Sequence, residues 1–167
     1  MPNGSDGSNG SPQTFEPATG DGPATPDGAR APRAAEVRTA FESLLQIRRL
    51  TCGGDVSAPA PWERGRMVRA VSLALEASGF PPSAVDASGR RTATGYRVRP
   101  GERPALVLVD WLGPAGSAAA YEETSRLTAC AAALTGLGWD ALLYKGRRGR
   151  RFLEVEPPSP LPLRPRP

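Results

Sequence analysis

Apolar and polar positions alternate most legibly between residues 104 and 155, where they predict strand, helix, strand, tight turn and strand. The run at 105–109, Ala-Leu-Val-Leu-Val, is the only long aliphatic stretch of the chain. A strand over 105–112 is apolar on both faces until Asp110, the pattern of a central strand covered on both sides. A helix over 117–135 follows. It is expected to meet the sheet through Ala120, Tyr121, Thr124, Leu127, Ala131 and Leu134, with Ser117 as its N-cap. Gly136 and Gly138 stop it. Strands over 139–145 and 150–156 then close a hairpin around the 145–151 turn, Lys-Gly-Arg-Arg-Gly-Arg-Arg.

Upstream the period changes. Val37, Ala40, Phe41, Leu44, Leu45 and Arg48 fall at helical spacing and predict a helix over 36–50, ended by Thr-Cys-Gly-Gly at 51–54. A second helix is expected over 62–78, with Pro61 at its start and Gly65 weakening its first turn. Val85 marks a short strand. Residues 92–99 alternate, with Thr94, Tyr96 and Val98 on one face and Arg97 and Arg99 on the other.

The order is therefore α-α-β-β-α-β-β. It predicts an α+β fold with an antiparallel or mixed sheet of four to five strands and two to three packed helices. The order resembles secretion-chaperone-like and double-stranded-RNA-binding-like layouts in topology alone, which implies no function.

Composition sets the boundaries. Residues 1–34 hold six Gly and six Pro, with Phe15 as the only large apolar side chain, so a disordered tail is expected there. Residues 157–167 hold six Pro and read as an extended Pro-rich tail. A single domain over 35–156 remains, with helix 36–50 as a candidate docking element. No basic and apolar leader precedes it, and no run approaches the ~18 apolar residues of a membrane span. A cytoplasmic protein without a membrane partner is the expectation. The edge strand expected at 150–156 would also permit a homodimer by sheet extension.

Charge changes the picture less than the net +4 implies. Of 21 basic residues only Lys145 is Lys, and the joint skew to Ala, Gly, Pro and Arg is that of a GC-rich bacterial genome. Arg abundance alone therefore says little about phosphate. Position says more. If the strands at 105–112 and 139–145 run parallel, Arg90, Arg91, Lys145, Arg147, Arg148, Arg150 and Arg151 pool at one sheet edge with the N–H groups near Ser117. Trp111 and Tyr144 would lie close by as faces for a base.

Catalytic signatures are absent from the sequence. The chain has no His, which removes His-containing triads and the commonest general base. Cys52 and Cys130 have no metal-ligand spacing, and Asp110 reads as a polar strand end. Glu122-Glu123 reads as a solvated pair, and Trp62, Trp111 and Trp139 read as core. No catalytic residue, metal or cofactor is expected. The sequence points to a non-enzymatic adaptor that binds another protein, with the apolar stripe Val37, Phe41, Leu44 and Leu45 as a candidate docking face. The alternative is nucleic-acid association through the basic hairpin.

Overall fold

The computed structural model describes residues 14–159. It contains helices α1 (Arg30–Thr51), α2 (Pro61–Gly65), α3 (Met67–Ala77) and α4 (Ala119–Gly136). The strands are β1 (Ala84–Val85), β2 (Arg91–Ala93), β3 (Gly95–Pro100), β4 (Val107–Leu112), β5 (Asp140–Lys145) and β6 (Arg151–Glu156). A four-stranded sheet has the order β3-β4-β6-β5, and β1 and β2 form a separate ribbon. Every pairing between these strands is antiparallel. The fold is α+β, as the alternation predicts.

Pairing in register puts alternate residues on one face. Tyr96, Val98, Val107, Val109, Trp111, Leu153 and Val155 point to a single buried cluster. Above them lie Met67, Ala70, Val71, Ala74 and Leu75 of α3 and Leu127, Cys130 and Leu134 of α4. Each large apolar side chain so buried contributes about 1.5–3 kcal/mol. Burial pushes the Cys130 thiol up to about 12, so it stays protonated and inert at neutral pH.

α1 does not reach the sheet. Val37 and Leu44 form a second cluster with Leu73 of α3, joined by Phe15, Phe41, Leu45 and Trp62 at its rim. Both helical layers therefore lie on the same side. The expectation that β4 is covered on both faces fails for this reason: β4 is central in pairing, but Leu108 and Leu112 look out from an uncovered face and are only half-buried.

Other boundaries shift for local reasons. The helix expected over 62–78 breaks at Arg66 (φ −139°, ψ 55°), next to Gly65, into α2 and α3. The strand expected over 92–99 divides at Thr94 into β2 and β3. α4 is rotated from its expected phase: Tyr121 is 93% exposed, while Glu123 takes a buried place beside Ala119, Leu127 and Cys130. The edge expected at 150–156 is wrong as well. β6 inserts between β4 and β5, and β5 is the edge strand.

The disorder expected over 1–34 is corrected from residue 14 onward; residues 1–13 lie outside the described residues. Pro17 and Gly20 are buried, and Thr19 accepts a hydrogen bond from the Val98 N–H of β3 at 2.7 Å. Backbone pairing and two ion pairs, Arg69–Glu16 and Arg91–Asp21, hold this segment, which needs few apolar side chains. Of the Pro-rich tail, 160–167 lies outside the described residues.

Candidate functional site

Three places carry unusual chemistry: the basic end of the sheet, the buried ion pairs and the open sheet face.

The basic end is built by the direction of β4 and β5. Both run antiparallel to β6, so they point the same way. The end of β4, the start of α4, the end of β5 and the 145–151 turn therefore share one edge, with β6 between the two parallel strands. Lys145, Arg147, Arg148, Arg150 and Arg151 lie there together. Arg148 turns the chain with φ 60°. The geometry nevertheless uses some of these cations internally. Arg150 Nε donates to Glu123 Oε2 at 2.8 Å, and the Arg151 N–H donates to Glu123 Oε1 at 2.6 Å. Lys145, Arg147, Arg148 and the Arg151 side chain have no acidic partner among the described residues.

Arg90 and Arg91 sit at the opposite corner, beside β3, three strand spacings or roughly 14 Å from β5. Arg91 donates to Asp21 at 2.5 Å and also to the Gly20 carbonyl. Arg90 closes a turn on Asp86, whose carboxylate accepts from the Ser88 hydroxyl (2.7 Å) and the Arg90 N–H (3.1 Å). The Ser88 hydroxyl, before the backbone donors, holds Asp86 below the usual carboxylate range. Ser117 is not the N-cap. That position is Ala118, and Ser117 Oγ reaches the Ala119 N–H only at 3.5 Å. Trp111 is buried with the Arg126 guanidinium 5.6 Å from its ring, so it offers no stacking face. Tyr144 is exposed and stacks on Phe152, centroids 6.0 Å apart.

The candidate docking stripe on α1 is already occupied by the chain itself. Val37 and Leu44 are buried against α3, and Phe41 and Leu45 are half-buried at the same contact. One turn on, Arg48 enters the interior with 1% exposure. Its Nε and Nη2 donate to both oxygens of Glu63, each at 2.8 Å. Its Nη1 donates to the Val56 and Leu137 carbonyls at 2.9 and 2.7 Å. Glu63 also accepts the Ala60 N–H at 2.6 Å. The pair locks α1, the 55–60 loop, α2 and the end of α4 together.

A second clip fastens the N-terminal segment. Arg33 Nε and Nη2 donate to Glu76 of α3 at 2.8 and 2.9 Å, Glu76 accepts the Ala18 N–H, and the guanidinium lies 4.6 Å from the Phe15 ring. The hydrogen bond to Glu76 raises the Arg33 pKa above its ordinary value. An open cleft of about 910 Å³ runs between this segment, α1 and the end of α3.

The open sheet face is the feature that the sequence reading missed. It carries Leu108 and Leu112 of β4, Phe152 of β6, and Leu142 and Tyr144 of β5, the last two 58% and 42% exposed. Arg97 and Arg99 flank this patch on β3 and converge on Asp110, at 2.7 and 2.8 Å. Burial alone would push the Asp110 carboxyl up, but hydrogen bonds from Arg99 and Arg97 outweigh it and hold the carboxyl below its usual range. Glu154 faces the same way, paired in register between Leu108 and Leu142. The alternation of 150–156 contained the signal: Phe152 and Glu154 had to face away from Leu153 and Val155.

Comparison with protein-family models, with curated proteins and with solved structures yields no match to this chain. No helix among the described residues is long and apolar enough to cross a membrane.

Proposed function

We propose that this chain is a non-enzymatic protein-binding module that works in the cytoplasm as an adaptor. The observation that carries the reading is the open sheet face. Leu108, Leu112, Leu142, Tyr144 and Phe152 form an apolar centre that no other element among the described residues covers. Such faces, rimmed by charge, are commonly interaction sites. The partner chemistry that fits is an amphipathic helix. Its apolar stripe would lie across the four strands, with a cation towards Glu154. Arg97, Arg99 and Asp110 already satisfy one another and would serve as a polar rim.

Site-specific photo-cross-linking tests this in the source cell. The photoreactive residue replaces Leu108, in the middle of the face, or Tyr121, on the outer side of α4 as a control. The expected result is one dominant heterologous adduct from position 108 that is absent from position 121. Equal or absent adducts at both positions would overturn the reading.

A second reading is supported by the shared direction of β4 and β5, which brings Lys145, Arg147, Arg148 and Arg151 to one edge. It is nucleic-acid association through phosphate contacts there. Fluorescence anisotropy with duplex DNA and single-stranded RNA at two salt concentrations tests it. Binding that falls steeply with salt, and is lost when Arg147, Arg148 and Arg151 are all replaced by Ala, supports this reading. No binding at low salt rejects it.

A further inference from the structure

We propose that a second copy of this chain pairs antiparallel with β5, making one continuous eight-stranded sheet across a two-fold axis. The inference goes beyond the adaptor reading and does not depend on it: it rests on the free backbone edge of β5, and shares only Leu142 and Tyr144 with the open face.

The two edges of the sheet are treated differently. The outer side of β3 is occupied. The Tyr96 N–H donates to the Pro81 carbonyl at 3.0 Å, the Tyr96 carbonyl accepts the Ser83 N–H at 2.9 Å, and the Val98 N–H goes to Thr19. β5 pairs only with β6, and among the described residues no hydrogen bond reaches its outer backbone N–H and carbonyl groups; the Ser159 N–H reaches only the Asp140 carboxylate, at 3.4 Å. It is six residues long, contains no Pro and has no bulge in its pairing with β6. Pro, bulges and very short length are devices that protect an edge, and β5 has none of them; its charges, Asp140 and Lys145, are confined to its two ends.

Charge and register select the occupant. β5 begins at Asp140 and ends at Lys145, which leads into Arg147 and Arg148. An antiparallel copy brings the acidic start of each strand to the basic end of the other. A two-fold axis normal to the sheet requires paired residues to face the same side. Pairing Leu143 with Leu143 of the copy meets this condition. It sets Leu142 against Tyr144 of the copy on the open face, and places Asp140 opposite Gly146, between Lys145 and Arg147. A shift by two positions sets Asp140 against Tyr144 and Leu142 against Leu142 of the copy instead, which keeps an apolar pair but loses the charge match. Apolar cross-strand pairs and opposite-charge neighbours are the units that stabilise such a ladder.

Sedimentation equilibrium of the full-length protein, from micromolar to millimolar concentration, tests the proposal. The expected result is a reversible rise from 17.5 kDa to twice that mass. Leu142→Arg should abolish the dimer with an unchanged far-ultraviolet circular dichroism spectrum, since Leu142 is exposed in the monomer. Asp140→Lys should weaken it by about tenfold, because both copies carry the clash. Asp140→Lys with Arg147→Asp should restore it. A monomer at all concentrations overturns the proposal. So does a dimer that neither Asp140→Lys nor Leu142→Arg weakens, which would use another surface. Neither result bears on the adduct expected from position 108.

Discussion

The charged side chain most committed to the fold is Arg48. A guanidinium with 1% exposure has lost its water and must be fully served by the protein. Two carboxylate oxygens and two backbone carbonyls do this. Arg48→Ala leaves Glu63 buried without a counter-charge, and should cost about 3–5 kcal/mol in urea denaturation. Arg48→Met combined with Glu63→Leu should recover most of that loss, because the unpaired charge is then gone. The sequence placed Arg48 on the apolar stripe of its helix, but not its partner: Glu63 lies fifteen positions on, and helical periodicity carries no information across the intervening loop. Asp110 leads to a pH prediction. Its folded pKa lies below the unfolded value of about 3.9. The stabilisation is therefore fully present above the unfolded value and is lost as pH falls through the folded one. The urea midpoint should drop on acidification below about pH 4, and Asp110→Asn should flatten part of that drop while lowering the midpoint at neutral pH.

At the scale of elements, the segment at 14–22 shows why low hydrophobicity misled. It is held by backbone hydrogen bonds, by the Arg69–Glu16 and Arg91–Asp21 ion pairs and by the Arg33–Glu76 clip, and none of these leaves a periodic trace in sequence. Gly20 fixes its path. It has φ +94°, and a Cβ there would overlap the Tyr96 carbonyl. Gly20→Ala should therefore lift this segment from β3 and cost about 1 kcal/mol or more. Amide exchange separates this from general destabilisation: the Val98 N–H, bonded to Thr19, should exchange faster, while the Leu153 amide in β6 stays protected. The α4 phase is a related case. Tyr121 looks like a core residue and Glu123 does not, yet Glu123 is the one drawn inward, because Arg150 and the Arg151 N–H wait for its carboxylate. Local pattern alone would have placed an acid on the wet face. The strands were more legible: Tyr96 and Val98 point inward and Arg97 and Arg99 outward, as their alternation required.

For the whole molecule, the decisive question is where α1 sits. Its stripe demanded a partner surface, and the sequence left open whether that surface belonged to this chain, to the uncovered side of the sheet or to another protein. It is α3 that takes it, through Leu73. Two consequences follow from that single choice. Both helical layers fall on one side, so the other face of the sheet is left with Leu108, Leu112 and Phe152 half-buried and with Leu142 and Tyr144 exposed. α1 also becomes part of the folding unit, since Arg48 supplies the counter-charge to Glu63 and caps the end of α4 through the Leu137 carbonyl. Protein lacking residues 1–51 should then show no cooperative transition in urea or by calorimetry, and should bind a hydrophobic dye through the exposed Leu73 side of α3. An element that merely docked on a finished domain would leave the transition in place at nearly the same midpoint. A cooperative transition retained by that shortened chain would move α1 back to the role of a detachable arm. The second cluster, rather than the open sheet, would then be the surface to probe for a partner.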